Sequence, residues 1–507
     1  MDASNPYLSI DRMNGLSICT EDSFLPHAQT YYQLLRQAGH QVCERPASYP
    51  HLFSERHLQC IWYNPELRPD KLQTIAGESV VVQHPGTWNL EPGPDFLGAL
   101  LQINGERLLA GDVEIHIDAR DWKAHRHHEN RKYDGVCAHV TYNAPHAAPE
   151  LFPPGTIHIA LRDALKRMPA FDFDSIDLTA YPYHIPGENT PCRSLLQAWS
   201  PSDIQALLSS AGEARLHQKA ARMRHELLQT DPDELLYRET LAALGYKNNK
   251  KAFRLLAEAL PLKQLRHCAA ENPVTAYALL AGISGLLPRD INSQWPAEAR
   301  SFLRTIWDIW WKQDEARHRQ TLPRSIWNLS GIRPANHPLR RLMAVASLFA
   351  GPKTLPALLD QFTSTSEPFS TAPFLHLFQQ PSGTWWDAHL TWSGKTHSAP
   401  IRLIGPERAG ALCTNVIIPL YIATNKQNVA PMPLLHSLPR ESDNAVIRQT
   451  AFMLLGRDAP RSLYGNPLCR QGLIQIFHDF CLNDRSRCTT CPLPNFLQQF
   501  RAAHGGI

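Results

Sequence analysis

The stretch Gly93 to Tyr142, GPDFLGALLQINGERLLAGDVEIHIDARDWKAHRHHENRKYDGVCAHVTY, decides the fold. Asn104-Gly105 separates two runs of strand-forming residues, and this dipeptide favours a two-residue hairpin turn because both positions tolerate positive φ. The reading is a β-hairpin with strands at 95–103 and 106–117. Its second strand alternates, with Val113, Ile115 and Ile117 on one face and Asp112, Glu114, His116 and Asp118 on the other. If the loop is Asn104-Gly105 alone, Ile103 pairs with Glu106 and Asp95 falls opposite Glu114. A bulge at Ala110-Gly111 would send Glu114 to the other face.

Two carboxylates facing each other across neighbouring strands, with Cβ atoms roughly 5 Å apart, repel. A divalent cation would relieve them, as would a cationic neighbour such as Arg107 or Lys123. Asp112 and His116 share the face, so this end of the hairpin is rich in ligands for hard metals. The expectation is a Mg²⁺ or Mn²⁺ site on Asp95 and Glu114, with Asp112, Asp121, His125 and His127 as auxiliaries. Such a cation polarises a phosphoryl oxygen and acidifies bound water, which His116 would orient or deprotonate.

The histidines nearby leave three readings open. His125, His127 and His128, beside Glu129, suit a transition-metal site, a cluster that contacts phosphate or substrate, or an exposed polar loop. His139, on an otherwise apolar strand, reads as a hydrogen-bonded core residue.

With 507 residues, 43% hydrophobic and 19% charged, the chain has room for two to four domains and is neither disordered nor fibrous. A net charge of +3 does not demand nucleic acid as a partner. The N-terminus lacks a basic start followed by an apolar run, and no apolar stretch reaches the roughly 20 residues that span a bilayer, so the expectation is a cytoplasmic protein without membrane contact. In that compartment the 11 cysteines are reduced thiols or metal ligands.

Around the hairpin the expected order is helix (51–63), strand (79–84), hairpin, polar connector (119–135) and strand (136–142), with a further strand at 156–161. The fold class is α+β. A nuclease-like sheet domain over 1–180 precedes a Pro-rich linker, an all-α domain over 200–350, and a mixed α/β region over 365–507 ending in a cysteine-rich tail. Within these, Trp307, Trp310 and Trp311 are expected to pack in the core. Residues 385–392 and 401–405 read as β-like, and 415–423 as a strand or buried helix.

In the tail, Cys481, Cys488 and Cys491 fall within eleven residues, with Cys469 as a candidate fourth. Four thiolates suit Zn²⁺ or a [4Fe–4S] cluster.

Pro94-Asp95 followed by Glu114-Ile115-His116 resembles the signature of the PD-(D/E)XK nuclease superfamily, with His116 where that signature has Lys. The resemblance implies metal-dependent hydrolysis of DNA or RNA. Some RecB-like members of that superfamily build a cluster from one remote Cys and three near the C-terminus, which would bring Cys60 or Cys43 into competition with Cys469. Over most of its length the chain also resembles a bacterial family, domain of unknown function family 2851. The residues that carry this are Gly93 to Phe96, Gly111 to His116, Asp121-Trp122 with His125 and His127, Tyr133-Asp134, Arg333 to Pro338, Asn415 to Pro419, and Gln471 to Gln475 leading to the tail cysteines. That family implies no activity. The leading expectation is therefore a metal-dependent nuclease. The competitors are an inert scaffold on a degenerate nuclease fold that binds nucleic acid or protein, favoured by the missing Lys, and a metallohydrolase of another class with its metal among the histidines.

Overall fold

Asn104 (φ +52°) and Gly105 (φ +79°) turn the chain, and Glu106 N donates to Ile103 O at 3.1 Å. The flanking strands β4 (Phe96–Ile103) and β5 (Arg107–His116) pair antiparallel, but starting at Ile103↔Arg107, one residue away from the expected pairing. That offset runs to Ala99↔Gly111 and is removed by an irregularity between Phe96 and Ala99, after which Phe96 faces Val113. Gly98 makes the correction: its φ of +66° suits glycine, and its N donates to Asp112 Oδ1 at 3.0 Å. Two one-residue departures thus cancel, and Asp95 still arrives beside Glu114. The bulge lies on β4, not at Ala110-Gly111.

This computed structural model describes residues 26–37, 53–90, 93–144, 152–168, 171, 173, 176, 178, 181, 190–269, 272–313, 321–329, 332–364, 368–424, 434–435, 438–439, 445–481, 488 and 491–504. The fold is α+β, with all the described strands in the N-terminal part and helices after it. Besides the hairpin, the sheet contains β1 (Leu72–Gln73), β2 (Ser79–His84), β3 (Thr87–Trp88), β6 (Val136–Thr141) and β7 (Ile157–Ala160). Its order is β1-β2-β4-β5-β6-β7, with β3 also on β4. β6 runs parallel to β5, setting Glu114 beside His139, and β7 runs parallel to β6. Beyond β1, Thr74 bridges to Ile159 and Ile75 N donates to His158 O at 2.9 Å, so the two edges of the sheet meet.

The core of this part gathers Val113, Ile115, Ala138 and Val140 against helix α2 (Glu55–Tyr63), which contributes Leu58, Ile61 and Trp62 at helical spacing. The opposite face of β5 and β6 is covered by residues 117–135, which include the short helix α3 (Asp121–Ala124). Trp122, Tyr133 and Val136 form a small cluster there.

A second core draws helix α1 (Pro26–Gln37) together with side chains from Leu196 to Phe500. Within it α5 (Pro201–Glu226) crosses α9 (Pro467–Ile476), which follows the shorter α4 (Pro191–Leu196), α6 (Pro273–Ile283), α7 (Ala297–Lys312) and α8 (Ala445–Leu455). The last helix is α10 (Leu493–His504). No described helix is long and apolar enough to cross a membrane.

Several expectations change here. The runs at 385–392 and 401–405 are not strands: Trp385–Asp387 is a 3₁₀ turn, and no described residue beyond Ala160 lies in a strand. Their aromatics are instead core wedges, with Trp386 donating Nε1–H to Tyr277 OH at 3.0 Å and packing on Trp392. Residues 413–417 form a π-helical turn leading into a helix over Ile418–Thr424. Of the three tryptophans on α7, Trp310 is core, whereas Trp311 is 56% exposed and stacks on Trp307. The Arg333–Pro338 segment serves packing: Asn336 Oδ1 accepts from Arg341 Nη2 at 2.6 Å, and His337 caps the helix that follows. Cys43 lies outside the described residues.

Buried histidines in the helical part make stability depend on pH. Burial, and then Arg224, push the His217 imidazole down to about 4, below the usual 6.5. The unfolded chain then binds the extra proton between these values, so this contribution is complete above about pH 6.5 and is lost as pH falls toward 4. Replacing His217 with Gln should reduce the drop in urea-denaturation free energy between pH 7 and pH 4 by roughly 2–3 kcal/mol. An unchanged drop would refute it.

Candidate metal centre

The hairpin's open end is held by reciprocal hydrogen bonds. Asp95 N donates to Glu114 Oε2 at 3.0 Å, while Ile115 N donates to Asp95 Oδ2 at 2.9 Å. Gln59 on α2 reaches Asp95 Oδ1 at 2.6 Å. The two carboxylates are therefore adjacent, and the hydrogen bonds that join them come from two peptide N–H groups, with the Gln59 amide on the far oxygen of Asp95. Both side-chain oxygens of Asp95 accept hydrogen bonds in this pattern.

The other oxygen of Glu114 faces the histidines. Oε1 lies 3.4 Å from His116 Nε2 and 3.2 Å from His127 Nε2, and the two nitrogens are themselves 3.2 Å apart. Donor atoms held about 2.0–2.1 Å from a tetrahedral ion are separated by roughly 3.3 Å, so this triangle has the edges of one face of a zinc-like coordination sphere. His125 is the fourth neighbour: one ring nitrogen from each of His116, His125 and His127 fits within 4.8 Å of the others. His116 and His127 are buried and His125 is exposed, which places the open side of the cluster toward solvent.

A ligating imidazole must be neutral, and its surroundings keep His116 so. Burial first, then the neighbouring His139, His125 and His127, hold His116 well below the usual imidazole range. Burial, followed by His158 and His127, pushes His139 down to about 3. Ligation through His116 Nε2 needs the proton on Nδ1, and His139 Nε2 stands 2.9 Å from that atom to accept it. His127 is wedged between Tyr133, stacked at 4.0 Å between ring centres, and Trp122 at 5.3 Å.

Of the residues the sequence singled out, the structure brings together Asp95, Glu114, His116, His125 and His127. Asp112 is occupied at the bulge. Asp121 accepts from Asp118 N at 3.1 Å in the turn that starts α3. His128 is not in the cluster but pairs with Glu129 at 3.5 Å. Cys481, Cys488 and Cys491 line a separate cavity in the helical part, which Cys469 does not line. Cys469 sits in α9, where Asn466 Nδ2 donates to its Sγ at 3.1 Å, and Cys60 belongs to the core under α2.

Sequence reasoning missed Gln59 and the role of His139. Gln59 has no local signal, being 36 residues from Asp95. His139 could have been found from its place opposite Glu114 once β6 was aligned parallel to β5.

A family model described as "Protein of unknown function (DUF2851)" matches residues 55–443. No curated protein and no solved structure matches the chain.

Proposed function

The chain belongs to DUF2851, whose description assigns no activity, and from the centre just described we propose that it is a metal-dependent phosphodiester hydrolase acting on nucleic acid. The observation that carries this is the triangle of Glu114 Oε1, His116 Nε2 and His127 Nε2, with edges of 3.2–3.4 Å. A divalent ion there is held by Glu114, His116 and His127, with His125 as the ligand nearest solvent. When bound, it supplies a polarised phosphoryl oxygen and an acidified water. Asp95 fixes the Glu114 carboxylate through its backbone N–H, Gln59 fixes Asp95, and His139 fixes the ring of His116. Imidazole ligands shift the preference from Mg²⁺ toward Zn²⁺ or Mn²⁺.

Two features support nucleic acid as substrate. The order α2, β2, hairpin, connector and β6 is compatible with a nuclease-like sheet domain, with the two carboxylates at the open end of the hairpin. Beside the cluster, the connector exposes Lys123, Arg126, Arg131 and Lys132, which suit a phosphate backbone. The deciding assay is incubation of purified chain with single- and double-stranded DNA and RNA under Mn²⁺, Zn²⁺ or Mg²⁺, with an EDTA control. Cleavage in Mn²⁺ or Zn²⁺ that EDTA stops is the expected result. Hydrolysis confined to small esters or amides would favour the histidine-centred hydrolase of another class. Binding that persists in EDTA, with no cleavage under any metal, would favour the inert scaffold.

Removal of the second nitrogen partner has its own outcome. His139→Ala should weaken Zn²⁺ affinity by about 10–100-fold in calorimetric titration, as loss of an outer partner does elsewhere, while His128→Ala leaves it unchanged. Equal affinities in both variants would argue that His139 is core packing only.

A further inference from the structure

Far along the chain from the hairpin, a small cavity of about 20 Å³ opens where α4 packs against α8 and α10. Four of its ten lining residues are cysteines: Cys481, Cys488 and Cys491 from the tail and, from the start of α4, Cys192. We propose that Cys192, Cys481, Cys488 and Cys491, no three of whose sulfurs yet lie within 4.8 Å of one another, draw together into a four-thiolate metal centre, holding either one Zn²⁺ or a [4Fe–4S] cluster, that ties the C-terminal tail to α4.

The convergence is what carries the argument. The sequence brings three thiols together by proximity alone, but Cys192 is separated from them by the whole helical part and reaches the cavity only through the fold. The remaining lining includes Met453, Phe480, Leu493 and two prolines, with Thr190 the one hydroxyl. Thiolates in such surroundings need a cation, and a set of soft sulfur donors selects zinc or iron–sulfur. Cys192 is held for the purpose by its element: Thr190 caps α4, with Arg193 N donating to its Oγ1 at 3.4 Å, and the Cys192 thiol donates to the same oxygen at 3.3 Å. Ligation replaces the four S–H bonds with four metal–sulfur bonds and releases four protons to solvent, with no change in the oxidation state of sulfur. Cys469, the fourth thiol expected from spacing, is engaged at the α5–α9 crossing, where its Sγ lies 3.6 Å from Ser209 Oγ.

The test uses the full chain purified without oxygen or chelator. Zinc, iron and acid-labile sulfide are measured per chain, alongside Cys192→Ser and Cys469→Ser. About one zinc, or about four irons with matching sulfide and a brown colour, is expected in the unaltered chain, and the element found assigns the centre. Cys192→Ser should fall below about a tenth of that content and Cys469→Ser should keep it. An unaltered chain with neither metal, a Cys192→Ser chain that keeps its metal, or loss in Cys469→Ser would each overturn the proposal. If Cys192→Ser does not fold, alkylation of the unaltered holo-protein replaces it. Cys192, Cys481, Cys488 and Cys491 should become reactive together when the metal is stripped, and labelling of Cys192 that ignores metal removal would overturn the assignment.

Discussion

On the proposed function, Glu114→Gln should lower nucleic-acid hydrolysis by about 10³-fold or more while leaving the fold intact. The substitution keeps the shape of the side chain, and its amide oxygen can still accept from Asp95 N at the 3.0 Å contact. What it removes is the negative charge at Oε1, the atom shared by the two histidine nitrogens. A metal worth several kcal/mol of charge stabilisation in the transition state is then bound weakly or misplaced, and about 4 kcal/mol corresponds to three decades in rate. Asp95→Asn should act more mildly, by about 10–100-fold, because it disturbs a group that orients the ligand. His125→Ala, at the exposed edge, should cost least of the ligand variants. Activity of Glu114→Gln within threefold of the unaltered protein would remove the centre from the proposed reaction.

Gly472→Ala should destabilise the helical part by about 3 kcal/mol or more, the upper end for a forced overpacking. At the α5–α9 crossing a Cβ on Gly472 would lie 1.9 Å from the Leu208 carbonyl oxygen, and one on Gly212 would lie 2.2 Å from the Leu468 oxygen. Each helix therefore presses its backbone into the gap left by the other's glycine. Because the obstacle is main chain, no side-chain rotation relieves it, and the helices must separate along a contact that runs through the helical core. A fall of roughly 6 °C or more in the thermal midpoint is expected. A change under about 1 °C would mean that the crossing is looser than the structure shows.

The hairpin was legible because its turn is chemically local: Asn104-Gly105 specifies positive φ whatever surrounds it. The register was not, since the departure at the turn and its repair at Gly98 each depend on contacts across the sheet, among them the Asp112 side chain. His125 and His127 were visible as residues, yet their meeting with Glu114 and His116 depends on how residues 117–135 fold over the sheet. Cys192 and Gln59 carry no local mark at all. The aromatic run Trp385–Trp392 failed for a different reason: bulky rings raise strand propensity, but here they fill gaps among helices, and tertiary packing overrode the local preference.

Parallel pairing of β5 and β6 has a consequence for how the centre could arise. An antiparallel neighbour could follow β5 through a tight turn, whereas a parallel one obliges the chain to travel back across the sheet before it can start again. That return journey deposits His125 and His127 above Glu114 and His116. Half of the proposed ligand set is therefore freight on a connection that strand direction makes compulsory, and grafting the hairpin alone onto another scaffold would carry away only the other half.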